Sequence, residues 1–194
     1  WVTAHLRDFA GQVVYYDTHK WFVARRSLLV LVVDLCKAHD VKAKQRVCWW
    51  LRMIRNRTQN KAGKVESRVV LVGTHADKFK GSKGKKSLQQ ASRGLIDAVG
   101  EAFGCKTQDD VNEILAGGQV YEVSSFTLDG IAKLAEHLQT ILTEPNGVTL
   151  VGKVHPGSYF ELQSIAQELA ISGKPMVSKK ELRAQCRKPG GGAT

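Results

Sequence analysis

Runs of apolar β-formers alternate along this chain with stretches whose apolar residues recur every three or four positions. Val69-Val70-Leu71-Val72 is unbroken by any polar residue, the pattern of a strand covered on both faces, as in a parallel sheet. Leu28 to Val33 reads as a second fully buried strand and ends in Asp34. Two more strands are expected, at residues 2–7 and from Gln119 to Val123. Elsewhere the period is helical. Val47, Leu51 and Ile54 fall at i, i+4 and i+7, and Trp50 widens the stripe, which predicts a helix from Lys42 to about Thr58. Leu88, Leu95, Ile96, Val99 and Phe103 predict another, ended by Gly104. Thr107 has an acid three residues on, the capping-box spacing, ahead of Val111, Ile114 and Leu115. Asp129 is expected to cap a helix with the stripe Ile131, Leu134, Leu138, Ile141 and Leu142. A short helix is expected from Lys20 to Arg26. Strands alternating with helices in this way predict an α/β fold, a parallel sheet with helices on both faces and right-handed crossovers.

Pro145-Asn146-Gly147 interrupts the pattern and sets the expected end of a first domain, residues 1–147. A second begins at 148. Pro156 suits the first turn of a helix with Phe160, Leu162, Ile165, Ala166 and Leu169 on one side. Ser178, with Glu181 three residues on, is expected to cap another helix, and residues 188–194 form a flexible tail.

Composition narrows the function classes. Among 194 residues, 29 basic against 18 acidic give a net charge of +11, an excess that can mark nucleic-acid or acidic-membrane binding. Lys78, Lys80, Lys83, Lys85 and Lys86 crowd one Gly/Ser-containing stretch, read as a loop, and Lys179, Lys180, Arg183, Arg187 and Lys188 form a second group. Neither interleaves aromatic residues that could stack on bases, so both read as solvated faces and nucleic acid is not the expected partner. No apolar run has the length of a membrane span, and the first residues do not form a signal peptide. The four cysteines are scattered without zinc-ligand spacing, which fits reduced thiols in the cytoplasm. The chain opens on Trp1, as a piece of a longer protein would.

Polar signals gather where three predicted strands end: Asp8-Phe9-Ala10-Gly11-Gln12, Thr74-His75-Ala76-Asp77 and Ser124-Ser125. Ligands of open α/β sheets sit beyond the carboxyl ends of the strands. An Asp there can offer two oxygens to a pair of N–H donors such as N1–H and the 2-amino group of guanine. Taken alone, such an Asp is more often a turn residue or helix cap. Gln12 is equally an exposed loop amide, and the serines can be a plain turn.

The order of these signals resembles the later nucleotide-binding motifs of Ras-like GTPases. The fuller wording, Asp-Phe-Ala-Gly-Gln, then Tyr15-Tyr16-Asp17-Thr18-His19, then Thr-His-Ala-Asp, resembles the Roc domain of ROCO proteins, which include the leucine-rich-repeat kinases. Val151-Gly-Lys-Val-His-Pro-Gly-Ser-Tyr-Phe-Glu-Leu resembles the opening of the COR domain that follows Roc, extending the resemblance to about residue 187. It implies a Ras-like, three-layer P-loop NTPase fold and a GTP/GDP switch. Asp8 would hold Mg²⁺, often through water. Gly11 would offer a backbone N–H to the γ-phosphate, and Gln12 would orient the attacking water. Asp77 would read guanine, with Ser124 and Ser125 supporting that carboxylate and the base carbonyl. It further implies dimerisation through COR within a multidomain parent.

Thr74 and His75 depart from the Asn-Lys pair of most Ras relatives. The hydroxyl braces the loop less than an amide, while the imidazole can still pack on the base. The larger departure is the lack of any GxxxxGK[ST]. Gly81-Ser-Lys-Gly-Lys-Lys-Ser87 has Lys85 where the second Gly belongs and follows Asp77 instead of a strand. The domain is therefore expected to be truncated at its N-terminus, and the piece inactive without its phosphate loop. A signalling scaffold without nucleotide chemistry and a basic nucleic-acid-binding domain are the alternatives.

Overall fold

Strand β2 (Arg68–Thr74) is buried from Val69 to Gly73, so its backbone groups need a partner strand on each side and its side chains a covering on each face. Both are present in the computed structural model, which describes residues 6–9, 12, 19, 23–144, 157–173 and 178–180. β1 (Leu28–Asp34) and β3 (Leu115–Glu122) flank β2, both parallel to it, in the order β1-β2-β3. The α/β expectation holds, with three strands among the described residues. The strand expected at residues 2–7 falls mostly outside them, and Leu6–Phe9 are irregular.

Alternation along β2 separates two cores. Val69 and Leu71 face a core built with α1 (Val41–Thr58), α2 (Gly81–Phe103) and α3 (Gln108–Ile114). Val70 and Val72 face another, with Ala116, Tyr121 and Val123 of the β3 region and Leu134, Leu138 and Ile141 of α4 (Ile131–Thr143). Helices thus cover both faces. The α1 stripe is the one its period predicts: Val47, Leu51 and Ile54 are buried, and Asp40 caps the helix by accepting from the Ala43 N–H at 2.9 Å. Thr107 and Asp110 make both halves of the capping box.

Several expectations need correction. β1 is covered on one face only. Val30 and Val32 are 42% and 61% exposed, because α4 packs over β2 and β3 and no other described helix reaches them. The Gly/Ser/Lys stretch is helix from Gly81, so Lys83, Lys85 and Lys86 lie on α2 instead of in a loop. Gly84 suits that helix because a Cβ there would sit 2.6 Å from the Phe79 carbonyl carbon. β3 starts at Leu115, ahead of the expected Gln119. Gly117 and Gly118, at φ +83° and +62°, form a bulge within the strand and shift its register against β2 between Val69 and Leu71. Asp129 is not the cap of α4. Gly130 holds that position at φ +76°, and the Asp129 carboxylate accepts from the Thr127 hydroxyl at 2.7 Å. Val23–Arg26 are not helical, and residues 20–22 lie outside the described set.

The chain divides into two compact units, Trp1–Gly152 and Lys153–Thr194. The boundary expected at 147 lies outside the described residues. In the second unit α5 (Gly157–Ile171) follows the expected helical stretch, with Ile165 and Leu169 half-buried and Leu162 exposed. Ser178, the expected cap, precedes helical residues 179–180, and Glu181 lies outside the described residues. No described helix is long and apolar enough to cross a membrane.

Leu35, fully buried just after β1, passes over the carboxyl end of β2 at Gly73, where a Cβ would lie 2.6 Å from its Cδ1. Gly73→Ala should therefore lower the unfolding free energy by about 1–3 kcal/mol, the usual cost of overpacking. Denaturant titration checks this, and an unchanged midpoint would mean that Leu35 swings aside freely.

Candidate functional site

Parallel register brings the three strand ends level: Asp34 pairs with Thr74, and Gly73 with Glu122. The loops leaving these ends are tied together by backbone bonds. The Val123 N–H donates to the Gly73 carbonyl at 2.8 Å, and the Ala76 N–H to the Val123 carbonyl at 3.2 Å. A cavity of about 480 Å³ opens here, lined by Thr74, His75, Asp77, Lys78, Ser125 and Phe126. A larger hollow of about 870 Å³, lined by Arg68, Ile114 and neighbours, lies at the amino ends of β2 and β3, where open sheets do not place their ligands.

Ser124, 1% exposed, ties the cavity together. Its hydroxyl donates to Asp77 Oδ1 at 2.7 Å and accepts from the backbone N–H groups of Phe126 and Thr127 at 3.2 and 3.1 Å. One donor and two acceptor sites are all a serine hydroxyl has, so every one is used. The bond from Ser124 is the main reason that the half-buried Asp77 carboxyl titrates below its ordinary value. Its own backbone N–H and the charges of Lys78 and His75 add to the effect, against opposing desolvation.

His75 stands in the left-handed region, at φ 63° and ψ 32°, a conformation that costs a non-glycine residue about 1–2 kcal/mol. That strain sits at the cavity wall. The imidazole Nδ1 lies 3.1 Å from Asp34 Oδ1 and 3.2 Å from Thr74 Oγ1. Thr74 uses its own hydroxyl proton on the Val33 carbonyl at 3.3 Å. Asp34 Oδ1 also accepts from the Cys36 N–H at 3.0 Å, which fixes the turn after β1.

Of the residues singled out from sequence, Thr74, His75, Asp77, Ser124 and Ser125 are brought together. Asp8 and Gln12 are exposed and do not line the cavity, and Gly11 lies outside the described residues. Phe9, beside Asp8, packs with ring centroids 5.2 Å from the buried His19 and 6.5 Å from Trp50, while His19 stacks on Trp50 at 5.5 Å. The stretch around Asp8 is thereby anchored on α1. Three participants were missed. Lys78 falls in the stretch that reads as a solvated basic loop, Phe126 carries no sequence signal, and Asp34 reads only as a strand end. The available signal for Asp34 is a second acid at a strand exit.

A carboxylate buttressed by a buried hydroxyl, at strand ends beside an imidazole, an ammonium and an aromatic ring, can accept paired N–H donors from a flat polar heterocycle. Magnesium is bound through one or two carboxylates, several waters and substrate phosphates. Asp8 is a single exposed carboxylate, which by itself does not make such a site. No cluster of three metal-ligating side chains occurs among the described residues.

No family model matches this chain. It is 41% identical over 76 residues to a protein of Dictyostelium discoideum named probable serine/threonine-protein kinase roco5, an overlap of 39% of this chain and 2% of that protein. Over 105 residues it is 33% identical to probable serine/threonine-protein kinase roco6 of the same organism, covering 54% of this chain and 4% of the relative. A longer match, 24% identical over 167 residues, joins it to probable serine/threonine-protein kinase pats1, also of Dictyostelium, covering 86% of this chain and 4% of that protein. The chain thus spans a few hundredths of the length of these relatives. These matches suggest a relation to the ROCO proteins.

Ser124→Ala removes the bond that contributes most to lowering the Asp77 pKa, so the carboxyl should titrate closer to its ordinary value of 3.8. Carboxyl-carbon NMR across the acid range reads this directly. In the wild type, the stability tied to Asp77 is fully present above the ordinary carboxylate pKa and is lost as pH falls through the depressed one. The acid sensitivity due to Asp77 should therefore shrink in the variant. An identical Asp77 titration in both proteins would exclude the Ser124 bond as the cause.

Proposed function

We propose that this chain carries the base-binding half of a GTP-hydrolysing switch in a cytoplasmic, multidomain ROCO-type signalling protein. The observation that carries the reading is the Ser124–Asp77 hydrogen bond at the wall of the strand-end cavity. A carboxylate held by a saturated hydroxyl is fixed in orientation and kept ionised. Both are needed to accept from N1–H and the 2-amino group of guanine at once. His75 packs on the base, and the Ser125 backbone N–H serves the base carbonyl. The similarity to roco5 and roco6 supports the family part of the reading.

In the reaction, water attacks the γ-phosphate in line and the bond to the β-phosphate oxygen breaks, giving GDP and inorganic phosphate. Gln12 orients that water, and Gly11 contributes its backbone N–H. Asp8 would hold Mg²⁺ through water, and that ion would supply neutralisation of the phosphate charge. The phosphate-cradling loop is supplied from outside these 194 residues, which contain no GxxxxGK[ST]. GTP and GDP then favour different arrangements of the Asp8–His19 segment. The segment from 148 to 187 begins a COR domain that supports homodimerisation.

Two substitutions in the full-length protein test this. Asp77→Asn keeps size and capping ability but offers one donor and one acceptor. It should weaken GTP about tenfold or more and shift preference toward XTP, whose base carries a carbonyl in place of the 2-amino group. Competition between GTP and XTP is the measurement, and an unchanged GTP/XTP ratio rejects guanine reading by Asp77. Gln12→Leu should slow single-turnover hydrolysis and leave GTP affinity nearly intact. Unaltered hydrolysis would assign water orientation to another group.

A further inference from the structure

Two acceptors converge on one ring nitrogen of His75. Asp34 Oδ1 is a carboxylate oxygen with nothing to donate. Thr74 Oγ1 has its proton committed to the Val33 carbonyl, so it too meets the imidazole as an acceptor. Nδ1 therefore carries a proton and donates, and Nε2 is the nitrogen left for other partners. The hydrogen bond made by one imidazole nitrogen sets the role of the other.

The backbone sharpens the constraint. At φ 63° His75 is the reversal point between β2 and the turn Ala76–Lys78 that delivers Asp77. The side chain leaves the chain in that conformation, half exposed at 51%, and its ring nitrogen Nδ1 is met by Asp34 and Thr74. Asp34 reaches it from the adjacent strand end, where the register sets it beside Thr74. Asp34 is itself immobilised: Oδ1 accepts from the Cys36 N–H, and Oδ2 lies 3.6 Å from Lys37 Nζ. An exposed pair of this kind adds little to stability. Its effect is orientation.

We propose that Asp34 is a positioning residue for nucleotide binding. It holds the His75 imidazole, through Nδ1–H, as a fixed wall of the base cavity, in the place where a long cationic stem would otherwise lie on the base. This rests on the guanine-binding reading of the cavity, and it assigns a task to a residue that touches no ligand. Asp34 acts on the face of the base through His75. Asp77 acts on its edge, so the two contributions separate. Loss of Asp34 weakens GTP, GDP and XTP alike and leaves the choice among them unaltered.

The test uses the full-length protein and competition binding of GTP, GDP and XTP. Asp34→Ser is the informative variant. Its shorter side chain still accepts from the Cys36 N–H but falls short of His75. Asp34→Asn keeps an oxygen within reach of Nδ1–H. Asp34→Ser should weaken all three nucleotides about three- to tenfold, the net worth of one hydrogen bond, and Asp34→Asn should stay within about twofold of wild type. In a His75→Ala background Asp34→Ser should have no further effect, since the partner it positions is gone. Three results overturn the proposal: wild-type affinity in Asp34→Ser, equal losses in Asp34→Ser and Asp34→Asn, or a loss that persists undiminished without His75. Failure of Asp77→Asn to move the GTP/XTP ratio would remove the guanine reading itself, and it is read from a different variant and a different quantity.

Discussion

Burying β2 on both faces is the constraint from which the rest of the first unit follows. A strand with no water on either face must pair both backbone edges within the protein and cover both sets of side chains. Parallel pairing with β1 and β3 meets the first demand, and α1, α2 and α3 on one face with α4 on the other meet the second. Parallel strands also end on the same side. The turn after β1, the His75 reversal and the Ser124–Asp129 loop therefore meet at one place. The cavity is a by-product of how the sheet satisfies its own backbone.

What could be read from the sequence was local. The Thr107–Asp110 box and the Val47, Leu51, Ile54 stripe involve residues three to four apart, and helix geometry alone brings them together. The Ser124–Asp77 bond joins residues 47 apart, and only a resemblance, not a pattern, pointed to it. Asp34 and His75 meet because neighbouring strands share a register, which no single-strand pattern encodes. Gly81 and Gly84 among lysines look like a flexible loop, yet the close approach of the Phe79 backbone requires a helix residue without a Cβ. The exposure of Val30 and Val32 was equally hidden, since a run of valines does not say how far the covering helix extends.

The acids at the cavity show how a strongly basic chain keeps two carboxylates in working order. Asp77 is held below its ordinary pKa mainly by a neutral hydroxyl, with Lys78 and His75 contributing less. Asp34 is held by a backbone N–H, a ring nitrogen and a peripheral lysine. Short hydrogen bonds survive salt far better than long-range attraction to surface lysines, which is screened beyond about 10 Å.

The packing of His19, stacked, and Phe9, tilted, against Trp50 carries a consequence of another kind. Indole emission responds to the polarity and aromatic neighbours around the ring, and Trp49 meets Trp50 edge-on at 5.3 Å, close enough to share excitation. Any displacement of Phe9 or His19 changes the surroundings of that pair. The molecule thus holds an intrinsic optical reporter where Phe9 and His19 meet α1, read without attaching a dye.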